Sequence, residues 1–76
     1  MTLDRITMNP AMMGGQPCIR GLRITVRRVI ESLAVYPSRE ELRREYPEIE
    51  DEDIRQALVY AAALLEGRTI ELPRAS

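Results

Sequence analysis

Chemistry at neutral pH draws on a short menu of side chains, and this sequence omits several of them. It has no histidine, so the commonest general base and metal ligand are both missing. Its single cysteine, Cys18, has no imidazole to activate it as a nucleophile and reads as a packed core thiol. Gly14-Gly15 lacks the lysine and serine of a P-loop and the glycine spacing of a dinucleotide fingerprint. It reads as a structural turn. Glu48, Glu50, Asp51, Glu52 and Asp53 lack the spacing and the glycine of a calcium loop. They read as helix-capping acids, or as a surface for an arginine- or lysine-rich partner. No metal, no cofactor and no enzymatic activity is expected, because no nucleophile–base pair can be assembled.

What the chain does offer is charge. All eleven cations are arginine, whose planar fork suits bidentate contact to carboxylate or phosphate. A GC-rich genome produces the same bias. The net charge of −1 is unevenly spread: residues 1–37 hold five arginines against two acids, and residues 38–76 hold six against ten. A bipolar chain can turn a basic face to nucleic acid and an acidic face to a basic partner. Arg20, Arg23, Arg27 and Arg28 are the candidates for DNA phosphates; the alternative is a solvated face, or ion pairs to the acidic half. Residues 48–53 should point away from DNA, since carboxylates near phosphates cost affinity, and are then free for a basic protein surface.

Short elements must position these side chains. Arg5 to Met8 predicts a strand, ended by Asn9-Pro10. Met13 to Pro17 is a loop by composition. Cys18 to Ile24 sets apolar residues around Arg20-Gly21, the pattern of a tight hairpin with Gly21 at positive φ. Thr25 is the N-cap of a first helix, whose apolar stripe is Val26, Val29, Ile30, Leu33 and Ala34. Pro37 stops it near Val35. Ser38 and Glu41 form a capping-box pattern for a short helix with Leu42 and Tyr46 inward. Glu50 or Asp51 caps a third helix, and Gly67 closes it. The spacing thus predicts helices near 26–35, 39–45 and 51–66, and an edge strand in the alternating tail 69–73. The fold class is mainly α: a short N-terminal strand and hairpin (1–25), a three-helix helix-turn-helix layout (26–66) and a tail (67–76).

A chain of 76 residues forms one domain and buries only about 60% of its unfolded surface. Without a disulfide or metal staple, the common remedy is self-association. Ala57 to Leu65 is apolar nearly all round, whereas an outer helix keeps one polar face. Ile54, Leu58, Tyr60, Ala61, Leu64 and Leu65 are therefore expected at a homodimer or partner contact; a plain central core helix is the alternative. The N-terminus shows no signal-peptide pattern, the apolar run is too short for a bilayer, and a lone thiol fits a reducing compartment. A cytoplasmic protein without membrane contact is expected.

One longer pattern joins these pieces. It runs Ile6-Thr7, then Gly14-Gly15-Gln16-Pro17-Cys18-Ile19-Arg20-Gly21-Leu22-Arg23-Ile24-Thr25-Val26. Glu40-Glu41-Leu42, Tyr46-Pro47 and Asp53-Ile54-Arg55-Gln56-Ala57-Leu58-Val59-Tyr60-Ala61-Ala62 follow. Over roughly residues 5 to 66 it resembles the domain-of-unknown-function family numbered 433. The resemblance implies a homeodomain-like helix-turn-helix fold and a VapB-type antitoxin role beside a PIN-like toxin, a metal-dependent ribonuclease. It also implies binding of operator DNA to repress the chain's own operon. Leu22 stands where the family usually has threonine, and Val35-Tyr36-Pro37 replaces its usual small turn. The function expected is therefore an antitoxin; the alternative is a stand-alone DNA-binding regulator or adaptor without a toxin.

Overall fold

The structure is a computed structural model and describes residues 3–67 and 72–73. Two short strands, β1 (Ile6–Met8) and β2 (Pro17–Ile19), precede three helices, α1 (Val26–Val35), α2 (Arg39–Glu45) and α3 (Asp51–Leu65). Mainly α with an N-terminal two-stranded ribbon is thus the observed class.

The strands pair antiparallel, with Ile6 opposite Ile19, Thr7 opposite Cys18 and Met8 opposite Pro17. Ile6 and Ile19 are both buried, which fixes the register, since a one-residue slip would turn both outward. The expected Cys18–Ile24 hairpin is present. The Leu22 N–H donates to the Ile19 carbonyl at 2.7 Å, and the central residues Arg20 and Gly21 lie at φ +46° and +72°. Positive φ at both positions is the mark of a primed turn, whose twist suits a hairpin. Cys18 then bridges Thr25, so the turn delivers the chain directly into α1.

Each helix begins where side-chain chemistry predicts. The Arg28 N–H donates to Thr25 Oγ1 at 3.0 Å, and the Glu41 N–H to Ser38 Oγ at 3.2 Å. At α3 the Glu50 N–H donates to Asp53 Oδ2 at 2.9 Å, the reach-back half of a capping box. Gly67, at φ +78°, ends the helical stretch, and its N–H donates to the Leu64 carbonyl at 3.0 Å. The α1 stripe faces the core at Val26, Val29, Ile30 and Leu33 as expected and departs only at its edge: Ser32 is buried and Ala34 exposed. Ser32 can be buried because its hydroxyl donates to the Arg28 carbonyl at 2.8 Å, which leaves no unsatisfied polar group.

α1 packs on both α3 and α2, and α3 also meets β1. The core they enclose is built from Leu3, Ile6, Ile19, Val26, Val29, Leu42, Ile49, Ile54, Ala57 and Tyr60. The expected edge strand at 69–73 falls largely outside the described residues. Of its described part, Leu72 packs on the core and the Pro73 carbonyl accepts from the Met8 N–H at 3.0 Å. Among the described residues, no helix is long and apolar enough to cross a membrane.

Candidate functional site

Sorting functional from structural charge begins at Asp53. Its side chain is 0% exposed, yet it carries a carboxylate at the third position of α3. Arg20 donates to it from Nε at 3.1 Å and from its NH2 group at 3.0 Å. Arg5 donates through its NH1 group at 3.3 Å, and the Glu50 N–H supplies a fourth contact. Burial alone would raise this carboxyl; the Arg20 fork, the Glu50 N–H and Arg5 outweigh it and hold Asp53 below its ordinary value. Reciprocally, Arg5 is held above its ordinary value by Glu50 and then Asp53, and Arg20 by Asp53. Buried Gln56 extends the network. Its Oε1 accepts from the Arg5 N–H at 2.9 Å, and its amide donates to Asp4 and Glu52, each at 2.8 Å. The primed turn, β1 and α3 are clamped together here.

Two assignments made from sequence are corrected by this cluster. Arg20 is not available as a phosphate contact, because its guanidinium is occupied by Asp53 and by the Glu48 carbonyl. Asp53 is not part of an outward acidic face, because it is enclosed. The rest of the acidic segment is exposed or half-buried, but mostly paired. Glu50 bonds Arg5 and Asp51 bonds Arg43, while Glu52 and Arg55 lie 2.6 Å apart. Arg55, then Gln56, pull the Glu52 carboxyl down to about 2.

The other three arginines meet. Arg23, which follows the turn, and Arg27 and Arg28, in the first turn of α1, line one cleft of about 430 Å³. Thr25, Ile24 and Glu31 contribute to its walls, with Met13, Gln16 and Tyr46 from other segments. Arg27 lies 3.7 Å from Glu31. Among the described residues, Arg23 and Arg28 have no carboxylate at ion-pair distance. The positive end of α1 adds to their field. No residue of 48–53 lines the cleft. Cys18 lies buried nearby, and its thiol donates to the Gln16 carbonyl at 3.3 Å. Burial pushes this thiol up against the opposing charge of Arg23, which disfavours the nucleophilic thiolate.

On another side of α1 lies an apolar groove of about 280 Å³, bounded by Pro17, Val26, Ile30, Tyr60, Ala61 and Leu64. Arg27 and Gln16 line both hollows, so they form a shared wall. The expected contact set divides accordingly. Ile54 is core, not interface, because it is buried in the enclosed cluster. Tyr60 is buried but reaches the groove. Leu58, Leu64 at 50% and Leu65 at 90% are exposed.

Sequence reasoning missed Met13, Gln16 and Tyr46 as cleft residues and Gln56 as a network member. Only Gln56 carried a signal, as a polar residue on the inner face of an otherwise apolar helix.

These features define a small trihelical domain entered through a two-stranded ribbon. The chain belongs to the family described as Protein of unknown function (DUF433), which matches residues 6–61. It is similar to the uncharacterized protein y4eO of Sinorhizobium fredii (strain NBRC 101917 / NGR234), at 39% identity over 64 residues. That stretch is 83% of this chain and 29% of the relative, so the chain spans less than a third of that protein's length. No solved structure matches it.

Proposed function

We propose that the chain is a non-enzymatic binding module of the antitoxin kind, working in the cytoplasm. It contacts operator DNA through Arg23, Arg27 and Arg28. A second copy pairs with it through the exposed apolar face of α3, around Leu58, Leu64 and Leu65. A PIN-like toxin is met by the outward acids Glu48, Glu50, Asp51 and Glu52. The Asp51–Arg43 and Glu52–Arg55 pairs are exposed, and exposed pairs contribute only about 0–1 kcal/mol, so a cationic partner can replace them.

The observation that carries this reading is the segregation of charge: three arginines share one cleft that residues 48–53 do not enter. Phosphate contact needs that arrangement, because affinity rests on cations that release counterions. The test is co-expression with the neighbouring reading frame, scored by growth rescue, beside a mobility shift on the chain's own upstream DNA. Rescue together with a shift supports an antitoxin. A shift without rescue leaves the stand-alone regulator, and no shift removes the DNA role.

A further inference from the structure

The arginine cleft has features that a surface tracking duplex phosphates does not need. It is a hollow rather than a ridge, and its volume of about 430 Å³ lies within the range of small-ligand clefts. Tyr46, half-buried, gives it an aromatic wall. The Met13–Gly15 turn also reaches the cleft through Met13, with successive φ values of +52°, +68° and +79°. Hydrogen bonds from Gly15 N–H to the Met12 carbonyl and from Gln16 N–H to the Met13 carbonyl hold it. Nothing lies within 4 Å of where a Cβ on Gly14 would stand, so the glycine serves backbone conformation rather than packing. The left-handed turn places Met13, a residue type that rarely adopts such φ, on the cleft.

We infer that this cleft takes one unpaired nucleotide, its phosphate against Arg23, Arg27 and Arg28 and its base against Tyr46. The inference deepens the nucleic-acid reading above and rests on it. Three guanidiniums against the single carboxylate of Glu31 leave the hollow cationic, which selects an anion. The aromatic face of Tyr46 selects a planar apolar group beside that anion, and Met13 adds a thioether to the lining. A stacked base in a duplex has no free face to offer; a base in a single strand, or on a free nucleotide, does. Arginine and an aromatic ring on one wall are the usual parts of a single-strand site.

The test measures fluorescence polarisation at fixed salt with a labelled oligothymidylate and with its duplex, using thymidine monophosphate as competitor. The single strand is expected to bind at least about tenfold more tightly than the duplex, within the range of one base–aromatic stack. Tyr46→Leu, which keeps apolar bulk, should remove most of that preference, and Tyr46→Phe should restore it; in both variants strand affinity should change more than duplex affinity. Arg28→Ala should weaken both forms. Displacement by the monophosphate identifies a free nucleotide as sufficient ligand, and tight strand binding without displacement identifies a strand; both support the site. Duplex binding as tight as single-strand binding, with Tyr46→Leu neutral, overturns the nucleotide site while leaving the DNA role standing. Absence of binding to strand and duplex alike overturns both.

Discussion

Replacing Asp53 with asparagine probes the clamp between the hairpin and α3. The substitution keeps the volume, removes the charge shared by Arg5 and Arg20, and turns one acceptor oxygen into a donor. Breaking a fully buried ion pair costs about 3–5 kcal/mol. Here the guanidiniums are 30% and 34% exposed, and water can solvate them once the carboxylate is gone. The electrostatic part therefore falls to about 1–2 kcal/mol. Weakening the acceptor for the Glu50 N–H adds about 1 kcal/mol, as for other helix caps. The expected loss is about 2–3 kcal/mol, against about 4–11 kcal/mol for a chain of this length. A thermal melt followed by circular dichroism should show the midpoint falling by about 8–24 °C. The pH dependence supplies a second readout. Asp53 is held low in the fold, so the folded state binds its proton more weakly than the unfolded chain does. Its contribution is complete above the unfolded value, about 3.9, and is lost as the pH falls through the lower folded value. The gap between wild type and Asp53→Asn should be full at pH 6 and narrow below about pH 4. Glu52, also held low, at about 2, titrates in both proteins and cancels from the difference. A midpoint loss under about 4 °C, or a gap that stays constant into acid, would refute the clamp.

Arg27→Ala with Arg28→Ala should weaken DNA binding across sequences and flatten the plot of log affinity against log salt by about 2, near 0.9 for each phosphate left without its arginine. Wild-type binding by this variant would reduce the cleft to a solvated face. Leu64→Glu with Leu65→Glu should convert a dimer to a monomer in light scattering with an unchanged circular dichroism spectrum, since both side chains are exposed. A monomeric wild type at high micromolar concentration would refute the dimer. Glu48→Lys with Asp51→Lys, which spares the Asp53 cluster, should abolish growth rescue against the toxin while leaving DNA binding intact. Retained rescue would exclude the acidic edge as the toxin contact.

The elements were legible because local rules fix them. Proline at 37, the hydroxyls of Thr25 and Ser38, and Gly67 mark where the helices start and stop, and each mark acts within a few residues of itself. The tight turn was legible for the same reason, since Gly21 can supply a positive φ; the positive φ of Arg20 carried no such mark. Periodicity read the α1 stripe correctly at Val26, Val29, Ile30 and Leu33 and missed only its edge, where Ser32 is buried and Ala34 exposed. A serine that bonds its own helix is cheaper to bury than its polarity implies, and neighbouring helices decided which flank faced inward. The candidate site was half legible. Arg23, Arg27 and Arg28 share a short stretch of chain, so their convergence follows from one turn and one helix. Tyr46 and Met13 reach the cleft from distant segments, and no spacing rule connects them to α1.

Counting charge along the chain misplaced Arg20 and Asp53 because burial, not sequence position, decides what a charge is for. The excess of cations in residues 1–37 includes Arg5 and Arg20, and both answer one enclosed carboxylate from the acidic half. Moving Arg20 to a phosphate would strip Asp53 of its closest guanidinium inside the fold, where an unmatched charge is most costly. A DNA contact there would therefore be set against folding. Arg23 and Arg28 carry no such obligation among the described residues, and the exposed Arg27–Glu31 pair contributes little to stability. Phosphate can engage these three without unpairing anything buried. The same residue type thus divides into a structural pair and an available trio, and the α3 carboxylate that separates them also caps its own helix.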